Sequence, residues 1–134
     1  MTVSDRVRAF LEEPHYAMLA TINGDGSVQQ TVVWYELQGD EIMMNTAAGR
    51  LKEKNLRRDP RVSLGIEAAG DFVTITGTAR LIDDQQTTQA DIHRLAVRYD
   101  GAASAQRQMA SFSKQQRVTI RLPIARVHAE LDRG

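Results

Sequence analysis

The feature that most constrains the fold is a series of short apolar segments separated by tight-turn residues. The clearest turn is at residues 23–26, where Asn-Gly and Asp-Gly stand between two strand-length apolar runs. These dipeptides adopt the positive φ angles that two-residue hairpin turns require. We therefore assign Gly24 and Gly26 to a hairpin rather than to a phosphate-binding loop, because no helix follows them.

Further segments of this kind follow along the chain. Residues 61–67 alternate strictly, with Val62, Leu64 and Ile66 on one face, as expected for a half-buried strand. The predicted strands are 16–22, 28–37, 42–46, 61–67, 72–82, 117–122 and 125–131. Many short strands joined by tight turns are typical of a closed antiparallel barrel, which leaves few exposed sheet edges.

Helical periodicity occurs outside these segments. Ile92 and Leu95 belong to an amphipathic pattern that predicts a helix over about 85–99, with Asp83 and Asp84 as natural caps. The other predicted helices cover 3–11, 50–58 and a stretch around 105–112. The expected fold class is mainly β with peripheral helices, in one domain that spans all 134 residues.

Composition excludes several kinds of chemistry. The chain has no cysteine, and its 17 basic residues balance 17 acidic ones, so nothing draws it to nucleic acid or membrane. It shows no transmembrane run and no signal-peptide pattern, so we expect a cytoplasmic protein. His15, His93 and His128 are far apart, and Asp91 is expected to be solvated. Without a nucleophile, metal or acid–base motif, any chemistry here depends on a cofactor.

Positive charge is concentrated in one segment of twelve residues. It carries six cations against two acidic residues, and the cations are Arg50, Lys52, Lys54, Arg57, Arg58 and Arg61. The segment follows a strand that ends at Thr46 and opens a helix, whose first backbone N–H groups favour an anion. Arg50 at the helix start, with Lys52 and Asn55 on one helix face, is therefore a candidate phosphate cradle.

An alternative remains open for the same segment. Glu53 lies four residues before Arg57, which is the spacing of an ion pair on a helix surface. The segment is then a solvated helix with paired charges. In either interpretation, Lys54 and Arg57 are assigned to the surface.

A second candidate segment is 29–35, which contains the only tryptophan on what we expect to be a central strand. Strand alternation gives two faces, one with Thr31, Val33 and Tyr35 and the other with Gln30, Val32 and Trp34. Only one of them can meet a planar ligand, and alternation does not say which. The alternative is that Trp34 fills the core or a subunit contact.

Together these segments resemble the split-barrel superfamily of pyridoxamine 5′-phosphate oxidase. They resemble more closely its branch of flavin/deazaflavin oxidoreductases that use coenzyme F420. The resemblance covers about residues 7–127 and is carried by residues 20–26, 32–35, 49–62 and 117–120. It implies a split β-barrel and a homodimer with two cofactor sites at the subunit interface.

The resemblance also implies which positions contact the cofactor. The strand around Trp34 would lie along the ring system, the strand end at Thr46 would approach the side chain, and the basic positions would hold the phosphate. The implied residues are Gln30, Thr31, Val32, Val33, Trp34, Asn45, Thr46, Arg50, Lys52 and Asn55. The FMN-dependent oxidases carry an arginine and a lysine in the regions of Gln30 and Tyr35, and this departure is compatible with the deazaflavin branch.

The function that the resemblance implies is an F420-dependent reductase, which transfers a hydride between the cofactor and a small conjugated organic substrate. FMN in the same groove is the first alternative. A cofactor-binding protein without turnover is the second, because Tyr16 and Tyr35 are the only proton-donor candidates. The anionic tail of F420 agrees with the six clustered cations, but FMN also brings a phosphate. We expect a homodimer that takes a small-molecule substrate and binds neither nucleic acid nor membrane.

Overall fold

The computed structural model describes residues 3–132, which form four helices and nine strands. The helices are α1 (Asp5–Glu12), α2 (Leu51–Arg58), α3 (Gln85–Asp100) and α4 (Ala102–Phe112). The strands are β1 (Ala17–Ile22), β2 (Val28–Val33), β3 (Glu36–Gln38), β4 (Glu41–Ala47), β5 (Arg61–Ala68), β6 (Asp71–Thr78), β7 (Arg80–Ile82), β8 (Arg117–Pro123) and β9 (Arg126–Glu130). The prediction of a mainly β fold with peripheral helices is confirmed. None of the four helices is long and apolar enough to cross a membrane.

The strands form two antiparallel sheets around one main core. The five-stranded sheet has the order β2-β1-β5-β6-β9, and the four-stranded sheet has the order β3-β4-β8-β7. Leu64 from the first sheet and Met44 and Ile120 from the second are fully buried in the same apolar cluster, together with Leu11 of α1. We predicted one continuous barrel, whereas the structure divides its strands between two sheets.

Two segments predicted as single strands, 28–37 and 72–82, each contribute a strand to both sheets. The first divides after Val33, where Tyr35 is fully buried and donates its hydroxyl to a carbonyl of the α1–β1 loop. The second divides at Ala79, whose N–H bonds the carbonyl of the residue before β5. At both places the chain passes from one sheet to the other, and residues that favour strands continue without a break. The sequence pattern therefore does not show where the chain changes sheets.

β2 lies at the edge of its sheet and pairs only with β1 among the strands of residues 3–132. The prediction of a central strand is therefore wrong within one chain. Four apolar side chains are exposed here, with 60% of Tyr16, 40% of Met18, 61% of Val28 and 60% of Val32 accessible to solvent. We call these four residues the apolar outer face.

α3 and α4 pack against the outside of the four-stranded sheet. Asp84 caps α3 as predicted, accepting a hydrogen bond of 3.1 Å from the N–H of the third helical residue. Gly101, at φ 87°, ends α3 and begins α4 directly. Ile92 and Leu95 of α3 pack on Met43 of β4 in a second, smaller core. As a result both faces of β4 and β8 are covered.

Candidate functional site

A cavity of about 240 Å³ lies where the ends of β2 and β4 meet the starts of α2 and β8, beside α3. Seven of the ten predicted site residues line it, namely Val32, Val33, Trp34, Asn45, Thr46, Arg50 and Lys52. The structure thus brings together the two segments that the sequence singled out separately. A larger hollow of about 360 Å³ lies on the apolar outer face, but no basic side chain lines it.

The other three predicted residues do not line this cavity. Gln30 and Thr31 lie earlier in β2, before the end of the strand that lines the cavity. Asn55 is fully buried, and its amide donates to Thr21 Oγ1 at 3.1 Å and to Asn23 Oδ1 at 2.9 Å. These bonds fasten α2 to the β1–β2 hairpin, and the place of Asn55 in the phosphate cradle stays a prediction.

Three cations converge on the cavity. Arg50 stands at the start of α2, Lys52 follows in its first turn, and Arg117 begins β8 with only 6% of its surface exposed. Within residues 3–132, none of them has a carboxylate partner within 4 Å. Burial, then Arg50 and Arg117, lower the pKa of Lys52. Burial and Arg50 lower the pKa of Arg117 to about 10.

The guanidinium of Arg117 is held by neutral groups. Its Nε donates to Asn45 Oδ1 at 2.9 Å, and its Nη1 donates to Gln115 Oε1 at 2.5 Å. The guanidinium carbon lies 4.9 Å from the centre of the Phe112 ring. Gln85 bonds both the N–H and the carbonyl of Arg117, so the backbone is fixed as well. Sequence reasoning missed this residue, since it assigned Arg117 only to a strand.

The remaining arginines of the basic segment are occupied elsewhere. Arg57 donates to Glu53 at 2.6 Å and to Asp83 at 2.5 Å, so the predicted ion pair is present. Arg61 is paired at 2.7 Å with Asp59, which directly follows α2. Arg58 donates to a carbonyl of β1 and to the side chain of the buried asparagine in α2. The segment therefore combines a solvated ion-paired surface with a positively charged cavity wall.

The opposite wall of the cavity is aromatic and aliphatic. The Trp34 ring stacks on Tyr99 with centroids 5.2 Å apart and planes inclined by 10°. The Tyr99 hydroxyl donates to the His15 carbonyl at 2.5 Å and accepts from the Tyr35 N–H at 3.1 Å, which fixes the ring that supports Trp34. Trp34 is partly buried beside the second core and also lines the cavity, so it combines a packing role with a place in the candidate site.

The two tyrosines considered as proton donors are in different environments. Tyr35 is fully buried, and burial is the main cause that raises its pKa above its ordinary value. Tyr16 lies on the cavity rim and belongs to the apolar outer face. Asp91 is not simply solvated as predicted, because it accepts a hydrogen bond of 2.8 Å from Thr119 Oγ1. Thr119 in turn accepts from Asn45 at 3.2 Å, which connects Asp91 to the polar end of the cavity.

A comparison with protein-family models identifies the fold lineage. The model described as pyridoxamine 5′-phosphate oxidase matches residues 3–130, which is nearly the whole chain. The chain belongs to the pyridoxamine 5′-phosphate oxidase family. The superfamily expected from the sequence is thereby confirmed.

Solved structures similar to this pyridoxamine 5′-phosphate oxidase family member share its split-barrel fold. A conserved hypothetical protein from Mycobacterium tuberculosis is 27% identical, with a TM-score of 0.82 over 96% of this chain and 84% of that one. A protein described as an F420 reductase is 23% identical, with a TM-score of 0.77 over 94% of this chain and 98% of that one. A haem storage protein from Vibrio cholerae is 17% identical, with a TM-score of 0.71 over 96% and 94% of the two chains. The predicted split β-barrel is confirmed.

The pyridoxamine 5′-phosphate oxidase family binds flavins and includes oxidoreductases. A phosphate-bearing flavin-type group fits the residues of this cavity, because the buried Arg117 has no carboxylate to compensate its charge. None of the three histidines, all within the described residues, lines the cavity.

Proposed function

We propose that this protein is an oxidoreductase that binds coenzyme F420 in the cavity beside Trp34 and transfers a hydride between the cofactor and a small conjugated organic substrate. FMN is the alternative cofactor. The observation that carries the proposal is the buried Arg117, which shares the cavity with Arg50 and Lys52 and has no counter-charge of its own. Three uncompensated cations in one small cavity favour a ligand that carries phosphate.

The start of α2 supports placement of the phosphate at this end. Arg50 occupies the N-cap position and makes no side-chain capping bond, so no side chain takes the first amides of the helix. These amides and the helix dipole add to the positive potential of Arg50 and Lys52. The protein's contribution here is to fix the anionic end of the cofactor and thereby the register of its ring.

The edge position of β2 supports placement of the ring at the other end. An edge strand presents backbone N–H and C=O groups that no neighbouring strand takes, and these match the polar rim of a fused planar ring. Val32 and Trp34 flank this edge and provide apolar surface. Ile92, Leu95 and Phe112 add further apolar side chains to the lining, which favours an apolar, conjugated substrate.

Deazaflavin and flavin cofactors supply the hydride acceptor or donor, so the protein must orient and shield the reacting partners rather than attack them. No acidic side chain among the described residues lines the cavity. Tyr16 is the hydroxyl group at its rim and the candidate source of a proton. A binding protein without turnover remains the competing proposal, and it is favoured because no carboxyl or imidazole group of the described residues lines the cavity.

A homodimer completes the proposal. Tyr16 and Val32 belong both to the apolar outer face and to the cavity lining. A second copy packed on that face would extend the cavity wall and shield the ring from water. The apolar character of the face and its continuity with the cavity support this assembly.

Two features support F420 over FMN. The cavity holds three uncompensated cations, which exceeds the charge of a single phosphate and suits a polyanionic tail. The positions Gln30 and Tyr35 also lack the arginine and lysine of FMN-dependent oxidases.

The test is a titration of the purified protein with F420 and with FMN, followed by absorbance, and then a turnover assay of reduced cofactor with quinones and conjugated carbonyls. We expect tighter binding of F420 and substrate-dependent oxidation of its reduced form. Tight FMN binding with none of F420 would reverse the cofactor assignment. Binding without turnover across the substrate panel would favour the carrier function, and absence of binding to either cofactor would refute the proposal.

A further inference from the structure

Arg117 differs from the ion-pairing arginines among the described residues in the kind of group that holds it. Its two side-chain acceptors are amide oxygens, Asn45 Oδ1 at 2.9 Å and Gln115 Oε1 at 2.5 Å. An amide has nearly the shape of a carboxylate and accepts the same hydrogen bond, but it carries no charge. The guanidinium is therefore positioned by two hydrogen bonds, and its positive charge is retained.

Among the described residues, several arginines that are more exposed are neutralised by carboxylates, whereas Arg58 and Arg98 are held by carbonyl or amide oxygens. Arg57, Arg94 and Arg121 each donate to a glutamate at 2.5–2.7 Å. Arg117 is the more deeply buried group, so water screens its charge less than it screens theirs. The burial of an uncompensated cation costs stability, which a bound anion would recover.

The backbone that carries Gln115 is itself fixed. The Gln115 N–H donates to the Phe112 carbonyl at 3.0 Å, and its carbonyl accepts from the Gln89 side chain at 3.0 Å. The amide of Gln115 is thus presented to Arg117 from a turn held at both ends. A carboxylate placed there by substitution would meet the same nitrogen without rearrangement of the chain.

We propose that Gln115 and Asn45 are specificity-determining residues, whose neutral amides keep the charge of Arg117 available for a phosphate. A glutamate or aspartate at either position would form an internal ion pair and close the site to anions. This inference rests on the proposed function, because it takes the cavity as the phosphate site of the cofactor.

The test is Gln115→Glu, which changes charge and almost nothing in shape. We expect its dissociation constants for inorganic phosphate and for F420 to rise by about 10- to 100-fold, since a charge-assisted hydrogen bond to the ligand is lost. The thermal midpoint of the free protein should be equal to or above that of the wild type, because the buried cation gains a partner. Gln106→Glu, an exposed position on α4 with the same charge change, should bind within about twofold of the wild type.

A neutral variant separates charge from hydrogen bonding. Gln115→Met removes the acceptor but adds no charge, so it should retain most of the affinity that Gln115→Glu loses. Should Gln115→Glu fail to fold, Asn45→Asp places a carboxylate 2.9 Å from Nε and is expected to lose phosphate affinity in the same way. This variant also loses the two bonds that the Asn45 amide donates to Thr88 and Thr119, so its thermal midpoint is measured beside its affinity.

Two results with the variants would overturn the inference. One is phosphate binding by Gln115→Glu as tight as that of the wild type, and the other is an equal loss in Gln115→Met and Gln115→Glu. A wild type that binds inorganic phosphate but neither F420 nor FMN refutes the proposed function instead, and the variants then still decide the inference with phosphate as the probe. A wild type that binds no phosphate refutes the inference directly.

Discussion

At the scale of single residues, charge compensation separates the cations of the site from those that support the fold. Arg57 and Arg61 have carboxylate partners at 2.5–2.7 Å, whereas Lys52 and Arg117 have none among the described residues. The lowered pKa values of Lys52 and Arg117 have the same origin, since burial and a neighbouring cation both disfavour the charged form. A bound phosphate would reverse both effects.

Lys52→Ala and Lys54→Ala form the sharpest pair of variants in the basic helix. Lys52 lines the cavity, so its loss should weaken cofactor binding by about 10- to 100-fold and leave the fold intact. Lys54 is exposed and outside the cavity, and its loss should change the affinity by less than about fivefold. Titration of both variants with F420 measures the contrast. Equal affinities would mean that the phosphate lies elsewhere.

Cofactor affinity should fall at alkaline pH. The protonated forms of Lys52 and Arg117 bind the anion, and their pKa values in the free protein are lowered, in Arg117 to about 10. Affinity is therefore full below these values and is lost as pH rises through them, with an onset below 10.5, the ordinary value for lysine. The measurement is the dissociation constant of F420 at constant ionic strength across this range, with circular dichroism to monitor folding.

Lys52→Arg provides the control for that profile. An arginine keeps its charge to higher pH, so the decline should begin later than in the wild type. An onset that does not move would assign the titration to another group.

Lys52 was predictable from the sequence, and Arg117 was not. Lys52 belongs to a cluster of six cations within twelve residues at a strand–helix junction, and such a local cluster can be recognised in the sequence. Arg117 begins an alternating strand that would be solvated on one face if only the two sheets existed. Its burial depends on the packing of α3 and α4 over β8, and spacing within one strand carries no trace of that contact.

At the scale of elements, the junction of α3 and α4 controls the apolar wall of the cavity. Gly101 serves both helices at φ 87° and ψ 161°, a region that is open essentially to glycine alone. No atom lies within 4 Å of a Cβ added there, so the effect of a substitution comes from backbone strain and not from a clash.

Gly101→Ala should therefore lower the free energy of unfolding by about 1–3 kcal/mol. Gly24→Ala is the control, because its φ is not in the positive region and its nearest neighbours are side-chain atoms of Arg58 at 3.7 Å or more. Urea denaturation measures both variants. A Gly101→Ala protein as stable as the wild type would show that the junction relaxes freely.

The positions of the elements were largely predictable, but their distribution between the sheets was not. Hairpin dipeptides and apolar alternation predicted the bounds of β1, β4, β5 and β8 to within about a residue or two. The capping residues predicted the start of α3. The crossings at Tyr35 and Ala79 escaped notice because a strand that changes sheets keeps favourable strand residues on both sides. The same limitation made β2 look central when it lies at an edge.

At the scale of the whole molecule, the apolar outer face should bury itself against a second copy. Val28 is 61% exposed on this face and lies outside the cavity lining, so Val28→Lys should weaken association without touching the phosphate site. Val97→Lys, at an exposed position on α3, should leave assembly unchanged. Light scattering at micromolar concentration measures both. A wild type that is monomeric while it binds cofactor tightly would contradict the proposed dimer.

The most direct test of the central claim is a crystal structure of the protein with bound F420, in which the distances from the phosphate oxygens to Arg117 and Lys52 are measured. We expect phosphate oxygens within about 3 Å of both cationic groups, and the cofactor ring along the edge of β2 beside Trp34. A phosphate bound outside this cavity, with Arg117 still held only by Asn45 and Gln115, would contradict it.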